Sequence, residues 1–210
     1  MSENPINNAK IIYLNDVGGI KEKERQAIEQ LVLIGITVET EDINWHSSEK
    51  FVSLLDKLIT LAKDELKNHQ YKYVLIVGAG AGGSMAVNIM ARMHEKRLYA
   101  ITLCSRLIDV NLPSWDRRSL ERVAYIGKPN ECKLYYDSVL YSTITSIQKL
   151  SKTDKLRIIT AHQKADPSIP RQTMKIEGVK VNKIPGLGHG QGIASGVHSL
   201  PELINLLLPI

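Results

Sequence analysis

Cysteine is nearly absent: Cys104 and Cys132 are the only two in 210 residues. Two cysteines exclude a disulfide framework and a Cys-rich zinc module. Long apolar runs are missing as well. The longest, Leu31 to Val38, falls far below the ~18–20 residues that span a bilayer. The first residues, Met1-Ser2-Glu3-Asn4-Pro5, lack the basic-then-apolar order of an export signal. The expectation is a reduced, cytoplasmic protein with no membrane partner. Charge of one sign is also scarce. Lys and Arg number 27 against 22 Asp and Glu, a formal net charge of +5. No basic stripe or aromatic platform accompanies that excess, so no nucleic-acid partner is expected.

What is present is ordinary globular usage, 43% hydrophobic and 23% charged with 14 Gly and 8 Pro. That excludes disordered, collagen-like and coiled-coil chains. The length predicts one domain over residues 1–210. Short apolar runs alternate with amphipathic stretches. Strands are expected at Lys10 to Leu14, Ile36 to Ile43, Tyr73 to Val77, Leu98 to Cys104, Leu156 to Ala161 and Val179 to Ile184. The third is continuously apolar, which suits a central strand covered on both faces. Ala27, Ile28, Leu31 and Val32 predict a helix over Glu22 to Leu33 that Gly35 ends. Ser47-Ser48-Glu49-Lys50 reads as the cap of a helix whose face is Phe51, Leu54, Leu55, Leu58 and Leu61. Further helices are expected at Gly83 to Met93, near Tyr136 to Leu150, and at Pro201 to Leu208, with a loop around Pro113. Strands separated by helices make a doubly wound α/β domain with a mostly parallel sheet. Ligands bind such sheets beyond the carboxyl ends of the strands.

The residues there are informative. Asn15-Asp16-Val17-Gly18-Gly19 follows the first strand, and Gly78-Ala79-Gly80-Ala81-Gly82-Gly83 the third. His162 to Pro167 follows the fifth strand, and Pro185 to Gly190 the sixth, opening a glycine-rich loop expected over 186–196. Gly78, Gly80 and Gly83 match the dinucleotide fingerprint G-x-G-x-x-G, whose glycines let a pyrophosphate approach a helix N-terminus. The next strand ends Cys104-Ser105-Arg106, without the acid that holds a ribose. Arg106 would accept a 2′-phosphate, so this reading predicts an NADP-binding oxidoreductase. Alternatively, Gly78 to Gly82 is a nucleophile elbow, G-x-S-x-G, with glycine in the serine position.

With Val74 to Gly83, Asp166-Pro167-Ser168-Ile169-Pro170 and Ile184-Pro185-Gly186-Leu187-Gly188-His189 in view, the chain resembles the α/β-hydrolase family over nearly its whole length. The family's order is nucleophile, acid, histidine. The resemblance implies a six-stranded sheet of order 2-1-3-4-5-6, without the family's first two strands, helices on both faces and a small lid over 107–150. It also implies a carboxylic-ester substrate or similar small acyl ligand, with no cofactor or metal. Gly80 then holds the nucleophile position, His189 matches the base and Asp166 its orienter. The N–H groups of Ala81 and Val17 match the oxyanion hole. Glycine carries no attacking oxygen, so the implied enzyme is catalytically disabled as it stands, by nature or by engineering.

Plainer roles are expected elsewhere. Gly82 and Gly83 serve close packing, and Ser84 points away from the rim. His46, His69, His94, His162 and His198 have no metal spacing. Cys104 is a buried small residue. Trp45 and Trp115 pack the core or the lid. Lys21, Lys23 and Arg25, interleaved with Glu22 and Glu24, form a solvated helix face.

Overall fold

The structure is a computed structural model that describes residues 5–47, 49–68, 70–108, 139–164, 166, 169 and 171–209. Six strands form one parallel sheet of order β2-β1-β3-β4-β5-β6. They are β1 (Ala9–Leu14), β2 (Thr37–Glu41), β3 (Tyr73–Ala79), β4 (Leu98–Leu103), β5 (Ile158–Gln163) and β6 (Lys180–Ile184). The order is the expected one. β3, β4 and β5 are buried at every position, because helices cover both faces. The edge strands β2 and β6 are largely half-exposed and carry the polar residues.

The two-residue period of a strand sorts the core into two layers. Ile12, Leu14, Val74 and Ile76 join Leu54, Leu55, Leu58, Met85 and Ile89 from α2 (Phe51–Lys67) and α3 (Ala81–Met93). Their neighbours Ile11, Tyr13, Leu75 and Val77 face the opposite layer. That layer is α1 (Glu22–Leu33), α6 (His189–His198) and α7 (Leu200–Leu207). Two shorter helices, α4 (Tyr141–Lys149) and α5 (Lys152–Lys155), precede β5. No helix among the described residues is long and apolar enough to cross a membrane.

Four expectations are corrected. α2 is not capped by a serine: its N-cap is Lys50, without a side-chain cap bond, and Ser47 Oγ instead accepts from Glu49 N at 3.3 Å. Glu24 is not solvated. It is buried, takes the Tyr13 hydroxyl and receives Lys21 N at 3.2 Å, so it closes the first turn of α1. α3 begins at Ala81 rather than Gly83. The glycine-rich stretch after His189 is helix α6, not loop. A Cβ at Gly192 would lie 2.9 Å from Cys104 Sγ, and one at Gly196 would lie 3.0 Å from Leu103. These glycines let α6 settle onto β4 and β5, and the burial outweighs their poor helix propensity.

Of the expected lid, residues 109–138, with Pro113, Trp115 and Cys132, lie outside the described residues, as do Ser48 and His69. α4 packs on α3 through a buried amide. Asn88 Nδ2 donates to Thr143 Oγ1 at 2.8 Å, while Ser142 and Ser146 donate to its Oδ1 at 2.7 and 2.8 Å. That saturated network fixes the register of the two helices.

Candidate active site

β3 passes into α3 through one residue, Gly80, at φ 49° and ψ −113°. An L side chain is strained there, and glycine is not. Gly80 N donates to Leu103 O at 2.9 Å, tying the turn to β4. The surrounding glycines are steric. A Cβ at Gly82 would lie 2.8 Å from Asn15 O, and one at Gly83 would lie 2.7 Å from Ser105 Cβ. Ser84 is buried and its hydroxyl donates to Arg106 O at 2.6 Å, away from the turn.

His189 begins α6 and Asp166 follows β5. His189 Nδ1 lies 2.7 Å from Asp166 Oδ2. Asp166 Oδ1 accepts Ile169 N at 3.1 Å, so one oxygen anchors the loop and the other faces the ring. Gly80, Ala81, Val17, Asp166 and His189 therefore share one rim, at the carboxyl ends of β1, β3, β5 and β6.

One further residue completes the group. Asp16 Oδ1 accepts Ala81 N–H at 2.9 Å, and Asp16 Oδ2 lies 3.2 Å from His189 Nε2. The Val17 N–H, next in the chain, also helps hold this carboxylate ionised. A Cβ built on Gly80 would overlap Asp16 Oδ1 and Cγ and lie 3.0 Å from Asp16 Cβ. Thus the carboxylate fills the space that an elbow side chain would take. Its loop is firmly held. Asn15 Oδ1 accepts Ile43 N at 2.6 Å, Asn15 Nδ2 donates to Ile43 O at 3.1 Å, and Trp45 Nε1 donates to Asn15 O at 3.2 Å.

The charges follow from the contacts. Burial alone would lower the His189 pKa, but the carboxylates of Asp16 and Asp166 outweigh it and raise it to about 10. Burial would likewise raise Asp16. The His189 imidazolium and the Ala81 and Val17 N–H groups outweigh that and hold it below the usual carboxylate range. Burial pushes the Cys104 thiol up to about 12, so it stays an inert, neutral thiol. His162 is buried in β5 with Nδ1 2.9 Å from Gln163 O, outside the group. Among the described residues, no three His, Cys, Asp or Glu side chains are arranged to hold a metal ion.

No family model matches the chain, and no curated protein matches it in sequence. Solved structures do match in shape. Carboxyl esterase 2 of Tuber melanosporum aligns at TM-score 0.64 and 14% identity, over 96% of this chain and 76% of that one. The monoacylglycerol lipase of Paleococcus ferrophilus aligns at 0.61 and 13%, over 96% and 95% of the two chains. A lipase-esterase related protein of Clostridium acetobutylicum aligns at 0.59 and 12%, over 98% and 96%. The fold is the α/β-hydrolase fold. Within it, the strand order places the glycine turn after the third of this chain's six strands, at the centre of the sheet.

Sequence reasoning did not single out Asp16. It stands on the expected rim, yet its part depends on a vacancy at Gly80, far away in the chain. The usable signal was a pairing: an elbow without a side chain, and an acid on the neighbouring loop of the hydrolase fold.

Proposed function

We propose that this cleft is built on the plan of a small carboxylic-ester hydrolase whose serine position is glycine. Its ligand is a small acyl or ester molecule. On that plan the Ala81 and Val17 N–H groups receive a developing oxyanion. His189 takes the nucleophile's proton, and Asp166 fixes its tautomer. With Gly80 there is no hydroxyl to deprotonate, so no acyl-enzyme forms at residue 80. The observation that carries this reading is the Gly80 turn, at φ 49° and ψ −113°, ringed by the Ala81 N–H and the His189–Asp166 pair. The likeness in fold to a carboxyl esterase and a monoacylglycerol lipase agrees with it. Asp16 fits the void so closely that the glycine reads as native to the site rather than substituted into an active enzyme. The NADP reading is disfavoured, since the Asp16 carboxylate on Ala81 N–H places negative charge where a pyrophosphate would dock.

The test restores the missing atom and clears its place. Asp16→Ala/Gly80→Ser is expected to react with a fluorophosphonate probe. It should hydrolyse a short p-nitrophenyl ester at least about 100-fold faster than the wild type, a modest part of what a full triad supplies. Adding His189→Ala abolishes both. Gly80→Ser alone reacts more weakly, because its Cβ meets Asp16. A folded Asp16→Ala/Gly80→Ser protein that stays unlabelled overturns the reading.

A further inference from the structure

Charge gathers again at the amino end of the sheet, a helix length from the glycine turn. There the last turns of α2 and α3 and the loop before β4 enclose a hollow of about 550 Å³. Lys63 and Lys67 from α2, Arg92 from α3 and Arg97 from the loop line it, together with the apolar Leu66 and Met93. Its one acid, Glu95, is turned onto its own loop, where Oε1 accepts Arg97 N at 3.2 Å. Holding the helix ends explains part of this charge. Arg97 Nη2 donates to Leu66 O and caps α2, and Lys67 Nζ lies 3.0 Å from Asp64 Oδ1. A cation in the last turn also suits the negative end of a helix dipole, which accounts for Lys67 and Arg92. Lys63 stands a turn further in, where the dipole no longer acts. It is four residues from Lys67, and like charges at that spacing on a helix repel. Neither Lys63 nor Arg92 has a hydrogen bond or an ion pair among the described residues. The Lys67–Asp64 pair is 77% and 61% exposed, so solvent screens it. The hollow therefore carries more positive charge than its own residues neutralise.

We propose that this hollow binds a small organic polyphosphate, at a site separate from the rim that holds His189. A phosphoryl group brings about −1.5 to −2 charges and three acceptor oxygens, so a short chain of them matches four converging cations. A guanidinium takes two phosphate oxygens side by side, whereas an ammonium acts as a point charge. Arg97 is already held by the Leu66 carbonyl before a ligand arrives, so its fork is ordered in advance. The volume lies within the range of small-molecule sites, and Leu66 and Met93 offer an apolar wall to the organic part of the ligand. A concave hollow suits a small molecule better than a nucleic acid, which needs an extended basic stripe. Binding would relieve the repulsion between Lys63 and Lys67 and tie the ends of α2 and α3 together. None of this depends on which reaction the rim performs.

The probe is ATP without divalent cation, titrated by calorimetry into the wild-type protein at low salt. Saturable binding of one ATP per chain is expected, with a Tm that rises as ATP is added. Lys63→Ala/Arg92→Ala should weaken it at least about ten-fold, the loss of one charge-assisted hydrogen bond or more. Neither side chain is bonded in the free protein, so this variant should keep its fold. Lys23→Ala/Arg25→Ala removes the same charge from the exposed face of α1, in the opposite layer, and should bind ATP as the wild type does. Equal weakening in the two variants would reveal a general attraction to a basic protein and overturns the proposal. So does a failure to saturate at millimolar ATP. Phosphatidylglycerol vesicles and a short DNA duplex present phosphates on an extended surface. If either binds through Lys63 and Arg92 and ATP does not compete, the hollow serves that surface and the proposal fails.

Discussion

Two His–carboxylate pairs stand at opposite ends of the sheet. At the carboxyl end, His189 Nδ1 lies 2.7 Å from Asp166, and at the amino end His94 Nδ1 lies 2.8 Å from Asp154. The distances are alike, but the surroundings are not. Asp154 is saturated: it also accepts Ser151 N at 3.1 Å and Ser151 Oγ at 2.7 Å, and it pairs with Arg157. Burial would raise its pKa, yet the Ser151 and His94 bonds hold it low. That group caps α5 and ties the end of α3 to the start of β5. At the carboxyl end the second ring nitrogen meets another acid, beside the Gly80 turn and the Ala81 N–H donor. A His–Asp pair is therefore not a site by itself. The neighbours that leave reactive capacity over make it one.

The largest effect expected from this contrast is on stability at the amino end. Asp154→Ala leaves the Arg157 guanidinium, only 12% exposed, without its carboxylate. Removing one partner of such a pair costs about 3–5 kcal/mol. Loss of the α5 capping box adds to it. Asp16→Ala should cost far less in urea unfolding, because His189 keeps Asp166. Equal costs would break the contrast, showing both clusters to be structural.

A smaller effect sharpens it through pH. The His189 pKa is raised from about 6.5 unfolded to about 10 folded. Its contribution to stability is therefore complete below pH 6.5 and is lost as pH rises towards 10. Across that window stability should fall by up to ~1.4 kcal/mol per pH unit. In Asp16→Asn the window should close at a lower pH, since one of the two carboxylates is gone. Thermal unfolding from pH 6 to 10, with ring-proton titration by NMR, reads both. Identical profiles for the two proteins would show that Asp16 and His189 are uncoupled.

Where burial follows a simple period, the sequence was legible. The helix expected over Glu22 to Leu33 has those bounds, and the continuously apolar Tyr73 to Val77 lies inside the fully buried β3. The loops of Gly80, Ala81, Val17, Asp166 and His189 were expected on one rim because each follows a strand, whereas the roles expected of these residues came from the resemblance to the hydrolase family. The misses have physical causes. Gly192 and Gly196 read as loop because propensity is local, whereas their value lies in how closely α6 approaches Cys104, Gln163 and Leu103. Glu24 read as solvent-facing because its neighbours do, and only the turn of α1 brings it to Tyr13. Asp16 was given no role because its part depends on an absent side chain across 65 residues of chain.

The smallest effect isolates the pair itself. His94 caps α3 in the left-handed region at φ 49°, and its side chain is 51% exposed. Solvent screens its bond to Asp154, and Ser151 and Arg157 hold that acid without it. His94→Asn should therefore change stability by less than about 1 kcal/mol, as exposed pairs do. Asparagine tolerates the left-handed backbone, so the substitution adds little strain. Ester hydrolysis by the Asp16→Ala/Gly80→Ser protein should not change when His94→Asn is added, whereas adding His189→Asn should abolish it. A loss of activity from His94→Asn would mean that the two ends of the sheet are coupled. Position would then no longer explain why one His–Asp pair is proposed for chemistry and the other only holds helices to strands.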